Sequence, residues 1–397
     1  MDFKPLVARN EKKIVMLVFD GLGGIPDPST GLTELETARV PNLDAIAKKS
    51  LCGNSLVVDY GITPGSGPGH FALFGYDPEI EIGRGVLEAL GVGHRMEKND
   101  LAARGNFATV DANGVLADRR GGFPSSERNR EICRRLEEEI ELPGCELFAI
   151  PGKEHRFVLV IRGEGLSDAL SETDPQKTGV IPQPVRSLGK NAKKSEKIVN
   201  SFIAQAEKIL KDYRPQNMLL LRGFAKSPDI GPFPGRYGLR SCAIAVYPMY
   251  KGIAKLVGMD VAECGATFPE QIDALERNYN GYDFFFIHVK ETDSAGHAGD
   301  FARKSRVLEE CDGSLPRLLA LKPDCLIITG DHSTPSLLRE HSFHPVPVSF
   351  LTENACPDSV ERFTERAFMS GGLGIFPARK IMQLALAFTL KLKKFGA

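Results

Sequence analysis

The sequence lacks the features that mark several large classes of protein. Its 50 basic residues almost balance its 51 acidic ones, giving a formal charge of -1, so no global field attracts nucleic acid or an anionic membrane. The longest early apolar run, Ile14–Phe19, is far too short to span a membrane, and the first residues carry no cleavable signal. We therefore expect a cytoplasmic protein with a small-molecule partner, and neither a nucleic acid nor a membrane partner.

Cysteine is scarce and scattered. There is no CxxC pair and no spacing typical of a zinc site, so we expect reduced thiols. The eight cysteines are Cys52, Cys133, Cys145, Cys242, Cys264, Cys311, Cys325 and Cys356.

Three apolar runs read as buried parallel strands, and each leads to an acidic residue. Ile14–Phe19 stops at Asp20, Phe284–Val289 runs toward Asp293, and Cys325–Thr329 runs toward Asp331. In an open parallel sheet, the carboxyl ends of the strands form the ligand crevice. The pattern therefore predicts an α/β catalytic domain, with a first helix starting near Pro41.

The chain of 397 residues is long enough for two domains. Its middle part has a different residue pattern from the rest. Strand-like segments at 156–161 and 218–221 are separated by a polar stretch at 173–197, which we interpret as part of an insert. An amphipathic helix is predicted over 196–213 and another over 377–394.

Histidine is rare, yet five of the eight histidines fall between positions 288 and 344, interleaved with Asp293 and Asp331. Imidazole with carboxylate suits a divalent ion of the zinc or manganese type. Structural roles such as helix capping are the alternative for any single residue. Taken together, the set that favours a metal site is Asp20, Asp293, His297, Asp331, His332 and His341.

Ser66 lies in a segment so rich in glycine and proline that we expect an exposed hydroxyl on a tight bend. A nearby cation would activate this hydroxyl as a nucleophile. A plain loop is the alternative, and the metal cluster favours the nucleophile.

The predicted insert also carries arginines suited to binding phosphate or carboxylate, although solvated surface charge is the alternative for each. These are Arg119, Arg120, Arg156 (which follows His155), Arg162 and Arg222.

Seven motifs, taken in order, closely resemble the cofactor-independent phosphoglycerate mutases of the archaeal type, in the alkaline phosphatase superfamily. The resemblance spans nearly the whole chain. The motifs are FDGLG from Phe19, VPNLD from Val40, PGS from Pro64 with GHFALFGYDP from Gly69, GRGVLEALG from Gly83, KETDSAGH from Lys290, TGDHST from Thr329 and HSFHPVP from His341.

The resemblance implies an alkaline-phosphatase-like α/β core with a mostly parallel sheet flanked by helices, plus a smaller inserted α/β lid domain. Residues 1–93 and 233–397 would form the discontinuous metal-binding domain. Residues 94–232 would form the substrate-binding lid.

The resemblance also implies two divalent metal ions and no bisphosphoglycerate. Manganese is the favoured ion, with cobalt, zinc or magnesium as alternatives. Ser66 would carry the phosphoryl group between the two oxygens of glycerate. Asp293, His297 and His341 would hold one ion, while Asp20, Asp331 and His332 would hold the other with Ser66.

Substrate contacts are implied less directly. His70, Lys251 and Lys290 are expected to contribute phosphate contacts beside the arginines and His155. Gly67-Pro68 and His344 depart from the family pattern, so a phosphotransferase acting on another alcohol, such as homoserine, stays an alternative. A phosphopentomutase or phosphatase, or a binding module without catalysis, are further alternatives, and the oligomeric state is left open.

Overall fold

The computed structural model of the chain describes residues 4–396, which divide into two compact units. The first unit contains the described parts of Met1–Glu81 and Ile230–Ala397, and the second is Ile82–Asp229. The sequence placed the start of the insert at residue 94, twelve residues later. The boundary lies earlier because the helix Arg84–Gly91 packs on strands of the second unit.

The strands of the described chain, in order, are β1 (Ile14–Phe19), β2 (Leu51–Leu56), β3 (Asp100–Val110), β4 (Leu116–Asp118), β5 (Glu146–Pro151), β6 (Arg156–Arg162), β7 (Met218–Ala225), β8 (Ser241–Ala245), β9 (Asp260–Val261), β10 (Phe284–Val289), β11 (Cys325–Thr329), β12 (Val346–Thr352) and β13 (Ile375–Pro377).

The α-helices of the described chain are α1 (Glu34–Thr37), α2 (Pro41–Ala47), α3 (Ser66–Leu73), α4 (Arg84–Gly91), α5 (Ser126–Glu139), α6 (Lys193–Leu210), α7 (Phe233–Tyr237), α8 (Pro248–Leu256), α9 (Phe268–Asn278), α10 (Glu291–Ala298), α11 (Phe301–Asp312), α12 (Leu315–Ala320), α13 (Glu365–Phe368) and α14 (Ile381–Phe388). None of them is both long and apolar enough to cross a bilayer.

The first unit is built on an eight-stranded sheet with the order β13-β2-β12-β11-β1-β10-β8-β9. The five strands from β11 to β9 are parallel, and β12 runs antiparallel to both of its neighbours. All six residues of β1 are fully buried, as expected for a central strand of unbroken apolar sequence. The prediction of an α/β fold with a mostly parallel sheet is confirmed.

The helix predictions in the first unit had mixed outcomes. Helix α2 begins at Pro41, as the sequence indicated. The helix predicted over 377–394 is wrong in extent, because α14 covers only Ile381–Phe388. Leu390 adopts a φ of 55°, which an α-helix cannot accommodate, so the helix ends before it.

The second unit contains a five-stranded antiparallel sheet in which β3 pairs with β4, β6 and β7. One face of β3 presents Leu101, Ala103 and Phe107 to a hydrophobic core shared with α5 and α6. The other face of β3 carries Arg104 and Asn106, as the two-residue period of a strand requires. Helix α6 lies three residues earlier than the sequence predicted.

Candidate metal centre

The acidic residues predicted to bind metal lie at the carboxyl ends of three neighbouring strands. Asp20 follows β1, Asp331 follows β11, and Asp293 lies in α10 just after β10. Because β10, β1 and β11 are parallel and adjacent, their carboxyl ends meet at one edge of the sheet. All three carboxylates are buried there.

The side chains of one predicted ligand set lie close together. Nε2 of His332 lies 3.3 Å from Oδ1 of Asp20 and 3.2 Å from Oδ2 of Asp331. One ligand atom from each of the three residues lies within 4.8 Å of the others, which suits a single ion. The hydroxyl of Ser66 lies 3.5 Å from the same Nε2 atom.

The second predicted set is assembled with one difference. Nε2 of His341 and Nε2 of His297 lie 3.7 and 3.5 Å from Oδ1 of Asp293. However, the compact group of ligand atoms around Asp293 contains His341 and His332, and His297 lies outside it. His297 is also 43% exposed, so it stands at the rim of the centre.

The tautomers of two histidines follow from their backbone contacts. Nδ1 of His341 lies 2.9 Å from the carbonyl oxygen of Pro64, and Nδ1 of His297 lies 3.0 Å from that of Arg339. A carbonyl can only accept, so each Nδ1 carries the hydrogen. Nε2, the atom that faces the carboxylate of Asp293, is therefore the nitrogen of each ring that can bind a metal ion.

The third histidine of the centre has the same tautomer. Thr334 donates its hydroxyl hydrogen to Oδ1 of Asp293 at 2.7 Å, because an ionised carboxylate can only accept. The same hydroxyl lies 3.0 Å from Nδ1 of His332 and must accept the Nδ1 hydrogen. Nε2 of His332 is thereby left with a lone pair, and burial lowers the pKa of this histidine, which favours the neutral ring.

These donors and acceptors fit a divalent metal. Oδ1 of Asp20 and Oδ2 of Asp331 are buried and accept no hydrogen bond from the described residues. Burial and the negative charge of Asp20 raise the pKa of Asp331. Carboxylate oxygens that face imidazole lone pairs need a proton or a cation between them, and a divalent cation would satisfy all of them together.

Lys290 supplies a positive charge beside the carboxylates. Its ammonium lies 2.9 Å from Oδ2 of Asp20, also donates to Oδ2 of Asp293, and bonds the hydroxyl of Tyr250 at 3.0 Å. Burial disfavours the charged form, but Asp20 and Asp293 outweigh it and raise the pKa of Lys290. The lysine that the sequence predicted to contact phosphate is thus placed at the centre.

Ser66 is the first residue of helix α3, where the sequence had predicted an open turn. Gly65 is the N-cap, and Pro68 fits the first turn because a backbone N–H there has no partner within the helix. The side chain is half-buried. The serine hydroxyl therefore stands at the positive end of a helix, next to His332.

His70 lies behind Ser66, one turn farther along α3. Its Nδ1 is 2.8 Å from the carbonyl oxygen of Ser66, and the side chain is fully buried against Tyr250 and His288. A direct phosphate contact of the kind predicted from the sequence would require the ring to leave this position. The geometry instead suits support of the first turn of α3.

His288 is a further residue of the centre to which the sequence assigned no role. It lies on β10, its Nε2 is 3.2 Å from Oδ2 of Asp20, and its ring centroid is 3.8 Å from that of Tyr250. Burial disfavours the charge of Asp20, but the close approach of His288 and the nearby charge of Lys290 lower its pKa. The only sequence signal was its place among the clustered histidines.

The second unit gathers several of the predicted arginines on the polar face of its sheet. Arg222 on β7 lies opposite Arg104 on β3, and Arg156 on β6 lies opposite Asn106. Buried donors or acceptors without partners occur here at Nε of Arg104, Nε of Arg222 and Oδ1 of Asn106. Burial and the neighbouring arginines lower the pKa of Arg104.

His155 and Arg120 extend this surface. His155 is buried, has no partner for Nδ1 among the described residues, and lies edge-on to the ring of Phe123. The guanidinium of Arg120 lies over the same ring at 5.2 Å. We call Arg104, Asn106, Arg120, His155, Arg156 and Arg222 the cationic face. The sequence missed Arg104, although its alternation with Asn106 in an apolar strand was a usable signal.

Two predicted arginines are already paired with carboxylates. Arg119 donates two hydrogen bonds to Asp174, at 3.0 and 2.7 Å, and Arg222 lies 3.8 Å from the same carboxylate. Arg162 makes two bonds to Asp100, at the opposite end of β3 from Asn106, about 20 Å away along the strand. Arg162 therefore lies apart from the cationic face.

Lys251 is also separate from the group expected of it. It follows Tyr250 on α8, and its charge acts on the thiol of Cys264, where burial raises the pKa and Lys251 opposes that rise. Successive residues of a helix point about 100° apart, so Tyr250 faces the centre and Lys251 does not share its direction.

Comparison with known proteins identifies close relatives over the full length. A family model described as "2,3-bisphosphoglycerate-independent phosphoglycerate mutase" matches residues 47–217. A relative in Thermosipho africanus, named "Probable 2,3-bisphosphoglycerate-independent phosphoglycerate mutase", is 49% identical over 99% of this chain and 98% of its own length. A relative of the same name in Aquifex aeolicus is 50% identical with the same coverage.

A solved structure supports the same relationship. The cofactor-independent phosphoglycerate mutase from Thermoplasma acidophilum aligns with a TM-score of 0.78 and 28% identity. The alignment covers 95% of this chain and 100% of that one.

Proposed function

This chain belongs to the family of 2,3-bisphosphoglycerate-independent phosphoglycerate mutases, and from that premise we propose that it interconverts 3-phosphoglycerate and 2-phosphoglycerate through a phosphoserine at Ser66. One observation carries the chemistry. The Nε2 lone pairs of His297, His332 and His341 face buried carboxylates, an arrangement that calls for cations.

We assign two divalent ions to this centre, with manganese favoured and cobalt, zinc or magnesium as alternatives. When bound, the ions would lower the pKa of the serine hydroxyl and neutralise charge on the transferring phosphoryl group. Asp20, Asp331 and His332 would hold one ion with Ser66. Asp293, His297 and His341 would hold the other, and His332 lies close enough to be shared.

Ser66 would act as the nucleophile. Its oxygen attacks phosphorus, the bond from phosphorus to one glycerate oxygen breaks, and the proton lost by the serine balances the one gained by that oxygen. The reverse attack by the other glycerate oxygen restores the serine and completes the isomerisation. The position of Ser66 at the start of α3 favours a charged phosphoserine, because helix N-termini stabilise anions.

The cationic face of the second unit would bind the carboxylate and phosphate of the substrate. Arg104 is buried and Arg222 half-buried, and each carries a buried Nε–H without an acceptor, so an anion would satisfy donors whose burial is otherwise costly. We propose a substrate-binding role for Arg120, His155, Arg156 and Arg222, with Arg104 added to the predicted group. Arg119 would contribute from its place on Asp174.

The test is conversion of 3-phosphoglycerate without added bisphosphoglycerate, after removal of metal with a chelator and after return of each ion in turn. We expect activity only with metal, no turnover by Ser66→Ala, and a phosphoserine at Ser66 in wild-type protein mixed with substrate, detected by mass spectrometry. Wild-type turnover by Ser66→Ala would contradict the nucleophile.

The same experiment separates the alternatives. A phosphoserine that forms only from a nucleotide, with homoserine as the acceptor and no mutase activity, would favour a kinase. Release of inorganic phosphate without isomerisation would favour a phosphatase.

A further inference from the structure

Lys304 on α11 is a fully buried lysine to which the proposed reaction gives no part. Its ammonium donates to two backbone carbonyls, those of Gly23 at 3.0 Å and Thr334 at 2.8 Å. Lysine is almost never fully buried without compensation, because the desolvation of its charge is costly. Here the compensating acceptors are main-chain oxygens of two separate loops.

Those two loops carry the proposed metal ligands. Gly23 lies three residues after Asp20, and Thr334 lies two residues after His332. A single ammonium group therefore joins the loop that follows β1 to the loop that follows β11. The backbone N–H of Thr334 also lies 3.3 and 3.2 Å from the carbonyls of Gly21 and Gly23, so the ammonium reinforces a direct contact between the two loops.

Two glutamates accept hydrogen bonds from backbone N–H groups of the same two loops. Glu365 accepts from the backbone N–H of Gly24 at 2.9 Å. The peptide group between Gly23 and Gly24 is therefore hydrogen-bonded at its N–H by Glu365 and at its carbonyl by Lys304. Glu34 accepts from the backbone N–H of Ser336 at 2.7 Å. Burial lowers the pKa of Lys304, and the charges of both carboxylates oppose that fall and favour the protonated form.

The space around this group is closed. A Cβ atom built on Gly24 would lie within van der Waals overlap of the carboxylate of Glu34, and one built on Gly23 would overlap Ser333. The loops are therefore packed directly on one another and on the glutamates. Loss of the ammonium would leave the buried carbonyl of Thr334 unpaired and that of Gly23 with only the 3.2 Å bond from the N–H of Thr334, with no room for an easy rearrangement.

We propose that Lys304 is a positioning residue that fixes the two ligand loops with Glu34 and Glu365, and so sets the affinity of the centre for divalent cations without touching them. This inference rests on the proposed metal centre. The proposal predicts weaker cation binding when Lys304 is lost, which is the opposite of what electrostatics alone predicts. Lys304 lies close enough to Asp20 and Asp293 for their charges to act on it, so removing its charge would by itself strengthen cation binding.

The experiment is titration of metal-free protein with Mn²⁺, followed by calorimetry, for wild type and for Lys304→Met, which keeps side-chain length and loses the donors. We expect the dissociation constant to rise roughly 10- to 100-fold, the range typical of lost supporting contacts. Unchanged or tighter binding in the folded variant would overturn the proposal. No Mn²⁺ binding by the wild type would instead refute the metal centre itself.

Lys391→Met is the matched control. Lys391 is also buried, and its ammonium bonds the carbonyl of Asn10 at 2.7 Å. It lies near Asp283 and Asp324, which precede β10 and β11, and thus at the edge of the sheet opposite the ligands. It should lower thermal stability while leaving the Mn²⁺ affinity unchanged, and an equal loss of affinity would show that Lys304 acts only through stability.

A second measurement requires no variant, in case Lys304→Met does not fold. Hydrogen exchange of metal-free wild type should show strong protection at the amides of Gly24 and Ser336, because Lys304, Glu34 and Glu365 hold both loops before any ion binds. Exchange at the rate of an unstructured chain at both amides would overturn the proposal.

Discussion

Thr334 donates a hydrogen bond of 2.7 Å to Oδ1 of Asp293, and through this bond it connects the two predicted ligand sets. The same hydroxyl accepts the Nδ1 hydrogen of His332. Because Asp293 belongs to one set and His332 to the other, one buried hydroxyl fixes a carboxylate of the first set and the tautomer of an imidazole in the second.

Thr334→Val should weaken metal binding while preserving the fold. Valine matches threonine in shape, so packing is kept, but Asp293 loses a donor and His332 loses the acceptor that fixes its tautomer. We expect Mn²⁺ affinity to fall by about tenfold or more in calorimetric titration.

Thr389→Val is the control for that variant. Thr389 is equally buried, and its hydroxyl bonds the carbonyl of Ala385 in the C-terminal helix. Its loss should affect stability alone. Equal Mn²⁺ affinity in Thr334→Val and wild type would show that the bridge through Thr334 has no influence on the ions.

The sequence predicted the central strands well and the peripheral helices less well. The bounds of β1, β10 and β11 were predicted correctly, since a strand buried on both faces is written as an unbroken apolar run that stops at a polar residue. The C-terminal helix was predicted too long. Its amphipathic pattern continues past Thr389, whereas the backbone turns at Leu390, a bend that the pattern does not encode.

The site shows the same division. Aspartate and histidine ligands stand out in a sequence because histidine is rare and its chemistry is specific. Lys304 and Thr334 gave no such signal, since their importance comes from contacts with loops far away along the chain. Arg162 was grouped with substrate residues because arginine suits anions and the family resemblance implied such a role, and only the structure reveals its carboxylate partner, Asp100.

His297→Ala should reduce the number of tightly bound ions from two to one. His297 stands at the exposed rim with its Nε2 3.5 Å from Oδ1 of Asp293, so its loss removes a ligand from the proposed Asp293 site and none from the proposed Asp20 site. We expect two binding steps in a Mn²⁺ titration of wild type and only the tighter step in the variant. His94→Ala, in the second unit, is the control and should retain both steps. Retention of both steps by His297→Ala would remove this histidine from the ligand set.

Arg222→Met and Arg162→Met should separate substrate binding from stability. Nε of Arg222 is buried without a partner on the cationic face, so its loss should raise KM for 3-phosphoglycerate roughly 10- to 100-fold, as expected for a charge-assisted bond. Arg162 instead pairs with the buried Asp100. Burial alone would raise the pKa of Asp100, but His94 and Arg162 outweigh that effect and lower it to about 2. Arg162→Met should cost about 3 kcal/mol of unfolding free energy and leave KM unchanged. The assignment fails if both variants raise KM equally.

Glu365→Gln should change how stability depends on pH. Burial raises the pKa of Glu365 from 4.5 to about 7, against the opposing effect of hydrogen bonds from Thr33 and Gly24 and of the charge of Lys304. The folded protein thus binds this proton more tightly than the unfolded chain, so the contribution to stability is full below pH 4.5 and is lost as the pH rises through 7. The difference corresponds to roughly 3 kcal/mol.

Glutamine keeps an acceptor for Gly24 and has no charge to bury, so the variant should match wild type near pH 4.5 and exceed it in stability at pH 8. Denaturant unfolding of both proteins in a chelator across this range measures the difference, and parallel curves would mean that the carboxyl of Glu365 titrates as it does in the unfolded chain.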